Sequence, residues 1–368
     1  MTGPAPVFIA LAMGLDRITL TDFRNHRATR LDGTARFNLL VGENGAGKTN
    51  VLEALSLLAP GRGLRRAALP EIPARHGDGS FAVSAELDGA VILGTGIRPE
   101  RPNRRVVQVN GADVPAVRLG EWLAIGWLTP AMDRLFGEGA GARRRFLDRL
   151  VLALEPGHAR NAAKLEAALR ERNRLLGEER EPDPQWLDAI EAQLAEAGAE
   201  VTQARLRLVA RLGQALDGLP DAPFARPALA YQPGGPTQAD ALAAALAASR
   251  RRDRAAQRTL TGPHRDELAV TMAGKDQPAA DCSTGEQKAM LIAITLAHAG
   301  LLDPDRPGVL LLDEVAAHLD PVRREALFER LRQGSAQVWL TGTELAPFDA
   351  IAGEAATWRV SEGLAERL

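Results

Sequence analysis

Residues 42–49, Gly42-Glu43-Asn44-Gly45-Ala46-Gly47-Lys48-Thr49, constrain this chain more than any other segment, because they satisfy the whole pattern G-x-x-x-x-G-K-[ST]. The glycines permit backbone conformations that turn successive N–H groups inward, making a nest for phosphate oxygens. Lys48 supplies a compact positive charge for β- and γ-phosphates, and Thr49 offers a hydroxyl to Mg²⁺. The helix that follows points its positive dipole end at the same place. The flanks agree: residues 36–41 read as a buried strand, and Val51, Leu52, Ala54 and Leu55 form the apolar face of a helix over 50–59. A chance glycine turn at a strand–helix junction requires neither the lysine nor the threonine. The segment therefore reads as a nucleotide cradle on an α/β sheet.

A second acidic segment completes such a site. Val309-Leu310-Leu311-Leu312-Asp313-Glu314 is an apolar run ending in two carboxylates, the pattern of a buried parallel strand whose carboxyl end faces ligand. Asp313 is placed to hold Mg²⁺, directly or through water, and Glu314 to polarise an attacking water as general base. A strand leading into an acid-rich helix start looks the same in isolation; beside the phosphate loop, the catalytic reading of Lys48, Asp313 and Glu314 is favoured. Between the two motifs, Cys282-Ser283-Thr284-Gly285-Glu286-Gln287-Lys288 precedes a helical run over 289–299. Ser283 and Glu286 form a capping box, and a capped helix start carrying serine and glycine is also an anion site. Were it to meet the phosphate loop of a second copy, Ser283 and the Gly285 amide would bind the γ-phosphate across a dimer interface, with Gln287 in the same segment. Asp320, in Ala317-His318-Leu319-Asp320, would bridge that interface; His318 reads as a capping or packing residue. None of the six histidines has another at helical ligand spacing, so no zinc is expected.

The 368 residues allow two to three domain-sized units. A hydrophobic fraction of 45% with 25% charged residues is that of a folded globular chain. A single cysteine excludes an intrachain disulfide. The apolar run 7–13 falls far short of the roughly 20 residues that span a bilayer, so no membrane partner is expected and the expected compartment is the cytoplasm. Met13 is a candidate start, since Leu15, Ile18 and Leu20 already alternate like a strand and residues 1–12 look dispensable. Further strands are expected near 80–87, 90–95 and 105–109, with turns at Asp88-Gly89 and Asn110-Gly111. Residues 130–215 read as nearly all helical. Leu187, Ile190, Leu194, Ala197, Val201, Ala204 and Leu208 form a heptad stripe, and Leu165, Leu169, Arg172 and Leu176 form a stripe on the preceding helix. Pro182 and Pro184 break the two helices. A protruding antiparallel hairpin and two helices of a compact bundle fit equally. Residues 220–237, rich in proline and glycine, read as a linker. The expected division is 1–128 and 258–368 as the two parts of an ATPase head, with 129–257 as an inserted helical arm.

Taken in order, the phosphate loop, S-T-G-E-Q, L-L-L-D-E and H-L-D resemble the ATP-binding-cassette superfamily, and within it the RecF family, which is grouped with the SMC ATPases. The marks cover most of the chain: Asp22-Phe23-Arg24-Asn25, residues 45–54, Arg143-Arg144-Arg145-Phe146-Leu147-Asp148, Glu171-Arg172-Asn173-Arg174-Leu175-Leu176, and Leu260-Thr261-Gly262-Pro263-His264-Arg265-Asp266. The resemblance implies an α/β cassette ATPase head with an inserted helical arm. It also implies a weak, DNA-stimulated ATPase that pairs into a homodimer with ATP and Mg²⁺ on double-stranded DNA. Gapped duplexes or single/double-strand junctions are the implied substrates, and the implied partners are RecR and RecO, with recombinase loading as the outcome. By the same resemblance Arg24 and Asn25 lie near the nucleotide or serve the fold. The chain departs from transporter-type cassettes at Thr341-Gly342-Thr343, where a switch histidine is missing, and no glutamine-bearing loop is evident near 127–130.

The 45 basic residues include only four lysines, so an arginine surface for DNA must rest on placement rather than abundance. The candidates are Arg62, Arg65 and Arg66 after the phosphate-loop helix, with Arg143–Arg145 and Arg250–Arg252; each cluster equally describes a solvated helix face. Contacts there would be to phosphates and salt-dependent. Two other functions fit the phosphate loop: the ATPase subunit of a membrane transporter, and a structural clamp in which ATP only signals assembly.

Overall fold

The computed structural model describes residues 14–220 and 222–368; the apolar run 7–13 and the candidate start at Met13 lie outside the described residues, as does the His318 side chain. Strands β1 (Leu15–Phe23) and β2 (His26–Asp32) form a hairpin, β3 (Phe37–Val41) leaves it for a second sheet, and α1 (Lys48–Ser56) follows. The chain then returns to the first sheet through β4 (Phe81–Leu87), β5 (Val91–Arg98), β6 (Arg101–Val109) and β7 (Ala112–Asp113), giving the antiparallel order β2-β1-β4-β5-β6-β7. The turns at Asp88-Gly89 and Asn110-Gly111 form as read: all four residues have positive φ, the requirement of a tight hairpin turn. Helix α2 (Leu119–Trp122) and β8 (Ala124–Leu128) end this segment.

The middle of the chain is helical, with α3 (Ala140–Leu154), α4 (His158–Leu176) and α5 (Pro184–Asp217), followed by β9 (Pro227–Gln232) and α6 (Ala239–Ala255). Then come β10 (Glu267–Met272), β11 (Gln277–Pro278), α7 (Thr284–Ala299), β12 (Gly308–Leu312), α8 (Pro321–Gln333), β13 (Gln337–Gly342), β14 (Ala355–Ser361) and β15 (Leu364–Arg367). The second sheet runs β15-β14-β3-β13-β12-β8, with every pair parallel except β14–β15. Strands β3, β12 and β13 are buried along their whole length, as parallel strands covered on both faces must be. Leu40, Val309, Leu311 and Trp339 face one core, shared with α1 and the antiparallel sheet. Leu39, Leu310, Leu312, Val338 and Leu340 face the other, built with α3, α7 and α8.

Two expectations change. The stretch 220–237 is not a bare linker: it carries β9, which pairs antiparallel with β10 in the register Leu268↔Tyr231 and Val270↔Leu229. Its proline stands at the first strand position, which leaves every later N–H free for the ladder. This pairing also joins residues on either side of the boundary drawn between 257 and 258. The heptad stripe, for its part, belongs to one 34-residue helix, α5, capped by Asp183, whose carboxylate accepts the Gln185 amide at 2.9 Å. Its first half packs against α4 and also against α6, through Leu165, Ala168, Leu194, Val201, Leu242 and Leu246. Its second half runs into the main core through Leu208, Leu212 and Leu216. The hairpin therefore exists, but as part of a three-helix arm anchored in the head.

Arg172 occupies an apolar position of the α4 stripe and is nevertheless fully buried. Its Nε meets Glu191 at 3.0 Å, its Nη1 meets Asp253 and Thr259 at 2.8 Å each, and its Nη2 meets the Leu246 carbonyl at 3.0 Å. Removing one member of a buried ion network leaves the others charged and unpaired, so Arg172→Ala is expected to destabilise the chain by about 3–5 kcal/mol, read as a lowered urea midpoint. A wild-type midpoint would contradict this role.

Candidate functional site

The phosphate loop leaves the carboxyl end of β3 and enters α1 directly. No side chain caps α1 and no acidic residue lies in its first turn, so its amino end keeps its positive dipole for a ligand. Gly47 has φ +120°, and a Cβ there would fall 2.7 Å from His26 Nε2 and 2.8 Å from the Asn25 amide. The β1–β2 turn is thus seated against the loop, with Asn25 Nδ2 donating to the Ala46 carbonyl at 2.9 Å. Burial pushes the His26 pKa down, against the backbone carbonyls of Gly47 and Gly363, which raise it. Its Nε2 lies 3.0 Å from the Gly47 carbonyl and its Nδ1 2.9 Å from the Thr29 hydroxyl oxygen, and that hydroxyl donates to the Gly363 carbonyl at 2.9 Å, so the ring ties the loop to the β14–β15 turn. Lys48 Nζ donates to the carbonyls of Gly42 at 2.6 Å and Glu43 at 2.8 Å. Burial lowers its pKa, while the charges of Glu314 and Asp313 act in the opposite direction.

The acidic pair arrives from the carboxyl end of β12. Thr49 and Asp313, 264 positions apart, meet at 2.9 Å, the Thr49 hydroxyl donating to Oδ1. Thr341, at the end of β13, donates its hydroxyl to the same carboxylate oxygen at 2.8 Å and accepts the Glu314 amide at 2.9 Å. Glu314 has φ +54°, a conformation that costs a non-glycine residue about 1–3 kcal/mol and persists only where its surroundings enforce it. Burial raises the Asp313 pKa above the ordinary carboxylate value, against the two threonine hydrogen bonds, which lower it. Lys48, Thr49, Asp313 and Glu314 are thus brought together as read. Thr341 is the residue that sequence reasoning left without a role, although it had marked the segment.

The serine–glycine segment stands at the start of α7. Ser283 and Glu286 form the expected capping box, with Ser283 Oγ accepting the Glu286 amide at 3.3 Å and Glu286 accepting the Ser283 amide at 2.9 Å. Gly285 is open: a Cβ there would meet no atom within 4 Å. Gln287 is buried and donates to the Cys282 carbonyl at 2.9 Å, holding the turn before the helix. Asp320 caps α8 by accepting the Arg323 amide at 3.0 Å.

The arginine clusters divide by partner. Arg65 pairs with the buried Glu53 at 2.6 Å, and Arg24 holds the same carboxylate with Nε at 2.9 Å and Nη2 at 2.6 Å. Arg143 pairs with Glu267 at 2.6 Å, and Arg250 with Asp188 and Glu191. Arg62, Arg66 and Arg145 are exposed; Arg66 has its pKa lowered by burial first, then by the charges of Arg145 and Arg62. Among the described residues no helix is long and apolar enough to cross a membrane.

Residues 14–346 match the family model described as RecF/RecN/SMC N terminal domain. A DNA replication and repair protein RecF of Mesorhizobium japonicum is 46% identical over 368 residues, which cover 95% of this chain and 96% of the relative. The chain belongs to the RecF family. A RecF of Caulobacter vibrioides is likewise 46% identical, over 94% of this chain and 96% of its own. Among solved structures, the recombination mediator protein RecF-ATP of the RecFOR pathway superposes with a TM-score of 0.84 at 22% identity, over 99% of this chain and 100% of that one. The SMC head bound to the C-winged helix domain of ScpA gives 0.51 at 16%, over 96% and 97%. These likenesses establish the cassette-ATPase head fold of the RecF and SMC proteins.

Because the folded Asp313 has a raised pKa, the native chain binds more protons than the unfolded one above the ordinary carboxylate pKa. Stability is lost there as pH rises. Asp313→Asn removes that buried charge. It is expected to raise the urea midpoint of the nucleotide-free chain at pH 7, with the gain shrinking as pH falls through the carboxylate range. An unchanged midpoint at pH 7 would refute the desolvated state of Asp313.

Proposed function

We propose that this chain is an ATP-dependent DNA-binding protein of recombinational repair and replication-fork maintenance, and a weak ATPase stimulated by DNA. The observation that carries the reading is the joined set of Thr49, Asp313, Thr341 and Glu314 beside the phosphate loop. A loop of residues 42–49 with Lys48 is suited to a triphosphate, and Glu314, next in sequence to Asp313, is the carboxylate that would orient water as general base. Thr49 and Asp313 fit Mg²⁺: both present hard oxygens, and the desolvated Asp313 carboxylate favours a cation beside it. Bound there, Mg²⁺ would neutralise charge on the β- and γ-phosphate oxygens.

In this reading two chains pair on ATP. The exposed helix start with Ser283 and Gly285 would cover the γ-phosphate of a partner's loop, with Asp320 near the seam and Gln287 shaping the turn. Residues 1–128 and 258–368 act as the head and 129–257 as the arm. Double-stranded DNA with a gap or a single/double-strand junction is the substrate, with Arg62 and Arg66 as phosphate contacts and Arg65 contributing from its pair with Glu53. RecR and RecO are the partners, and recombinase loading is the result. The RecF names of the relatives support this reading over a transporter subunit.

Sedimentation with and without ATP, repeated with a gapped duplex, tests it. ATP is expected to convert monomer to dimer in the wild type and to leave Lys48→Met monomeric. Glu314→Gln is expected to hydrolyse at least about a hundredfold more slowly, as loss of a general base does, and to persist as dimers on DNA. A Glu314→Gln chain that hydrolyses at the wild-type rate removes Glu314 from the role of base. Dimers of Lys48→Met would exclude ATP-driven pairing through this loop.

A further inference from the structure

A cavity of about 720 Å³ lies between the loop that follows α1 and helices α3 and α4, and no residue of the phosphate loop enters its wall. Arg62 and Arg66 reach it from the loop, and Arg145 and Arg149 from α3. Arg149 lies over the Trp127 ring, with its guanidinium carbon 4.5 Å from the ring centroid, and 5.2 Å from that of Phe146. The two rings hold the cation by its faces and leave its N–H edge to find acceptors. Among the described residues the Arg149 Nε, sealed from solvent, has no hydrogen-bond partner, and Nη2 reaches the Met132 sulfur at 3.5 Å, a weak acceptor. Burial pushes the Arg149 pKa down to about 9.

The carboxylates in the same wall have partners of their own, and the Glu166 charge also acts on Arg66. Asp148 accepts from His158 at 3.0 Å and from Arg205 through both oxygens at 2.8 Å, and Glu166 pairs with Arg170 at 3.0 Å. Arg66, Arg62 and Arg145 crowd one another closely enough to act on the Arg66 pKa. Buried polar groups in native proteins are almost always paired. A planar guanidinium whose acceptor among the described residues is a thioether sulfur matches the stronger oxygen acceptors of a phosphate.

We infer that this cavity is a second anion site, distinct from the nucleotide loop, that takes a phosphate group on Arg149 with the exposed Arg66 and Arg145 at its rim. A free diphosphate and the terminal phosphate of a DNA strand present the same chemistry to it. Trp127 under the guanidinium provides the readout. The full chain is titrated with pyrophosphate at constant ionic strength while tryptophan fluorescence is followed, and with short duplexes carrying a 5′-phosphate or a 5′-hydroxyl. A saturable change is expected in the wild type and equally in Lys48→Met, whose phosphate loop is disabled, and is expected to vanish in Trp127→Phe.

Arg149→Met keeps the volume of the side chain and is expected to weaken binding by about tenfold to a hundredfold, the loss that accompanies a charged hydrogen bond. Arg145→Gln, altered only at the exposed rim, is expected to weaken it several-fold and guards against a folding defect in the first variant. Preference for the 5′-phosphorylated duplex that is lost in Arg149→Met assigns the DNA end as the source; an Arg149-dependent response to pyrophosphate alone assigns a small anion. The proposal falls if neither probe gives an Arg149-dependent change, or if the pyrophosphate change is lost in Lys48→Met and retained in Arg149→Met.

Discussion

A single hydroxyl, that of Thr341, stands between the two acidic residues at the end of β12. It donates to Asp313 and accepts from the Glu314 amide, which only works because β13 lies between β12 and β3. The register places Leu340 opposite Leu312 on one side and Gly342 opposite Val41 on the other. The Gly42 amide then donates to the Gly342 carbonyl at 3.2 Å. One strand end thereby sets both the phosphate loop and the carboxylates. The buried Asp313 and the unusual φ of Glu314 are both costly states; hydrogen bonds donated by the Thr341 and Thr49 hydroxyls hold the first, and the Glu314 amide's bond to the Thr341 oxygen holds the second.

A comparable junction ties the arm to the head. Arg205 of α5 binds Asp148 of α3 through both oxygens, and binds Asp266, just before β10, at 2.7 Å. Burial pushes the Asp148 pKa up, but the hydrogen bonds from His158 and Arg205 outweigh it and hold the group at about 2. Asp266 also accepts the Gly234 amide at 2.7 Å and the Tyr231 hydroxyl. Five segments far apart in sequence converge on three charges. From Asp266 the chain runs through β10 and β11 into the capped start of α7, so this network fixes the base from which the serine–glycine segment projects.

The motifs were legible because their chemistry dictates residue types: a phosphate nest needs glycine, a capped helix start needs serine and glutamate, and a buried parallel strand needs an apolar run. The hairpin turns were legible for the same reason, since Asn-Gly and Asp-Gly accept positive φ. Thr341 was not, because threonine is an ordinary strand residue and its partners lie on another strand. The short strand β9 hid among prolines and glycines that flank it and do not interrupt it. Helix α6 has an alanine-rich sequence with only Leu242 and Leu246 deeply buried among its larger apolar residues, too few to announce a packed face. Arg172 matched the apolar period while burying a charge, which periodicity alone cannot distinguish.

Partner geometry separates arginines that composition leaves alike. Arg24 and Arg65 share the buried Glu53, which binds the β1–β2 turn and the loop after α1 to one helix. Arg36 gives its guanidinium to the carbonyls of Leu331 and Arg332 at the end of α8, and Arg143, Arg172, Arg205 and Arg250 each serve an acidic residue. These cations hold elements together, and for those paired with carboxylates the charge is largely cancelled at short range. Arg149 is different in kind, because aromatic faces stabilise its charge without consuming its hydrogen-bonding edge. A chain can carry many arginines for reasons unrelated to binding; one that is stacked on aromatic rings, with a thioether sulfur as its acceptor, beside further exposed guanidiniums has the electrostatics of a receptor site.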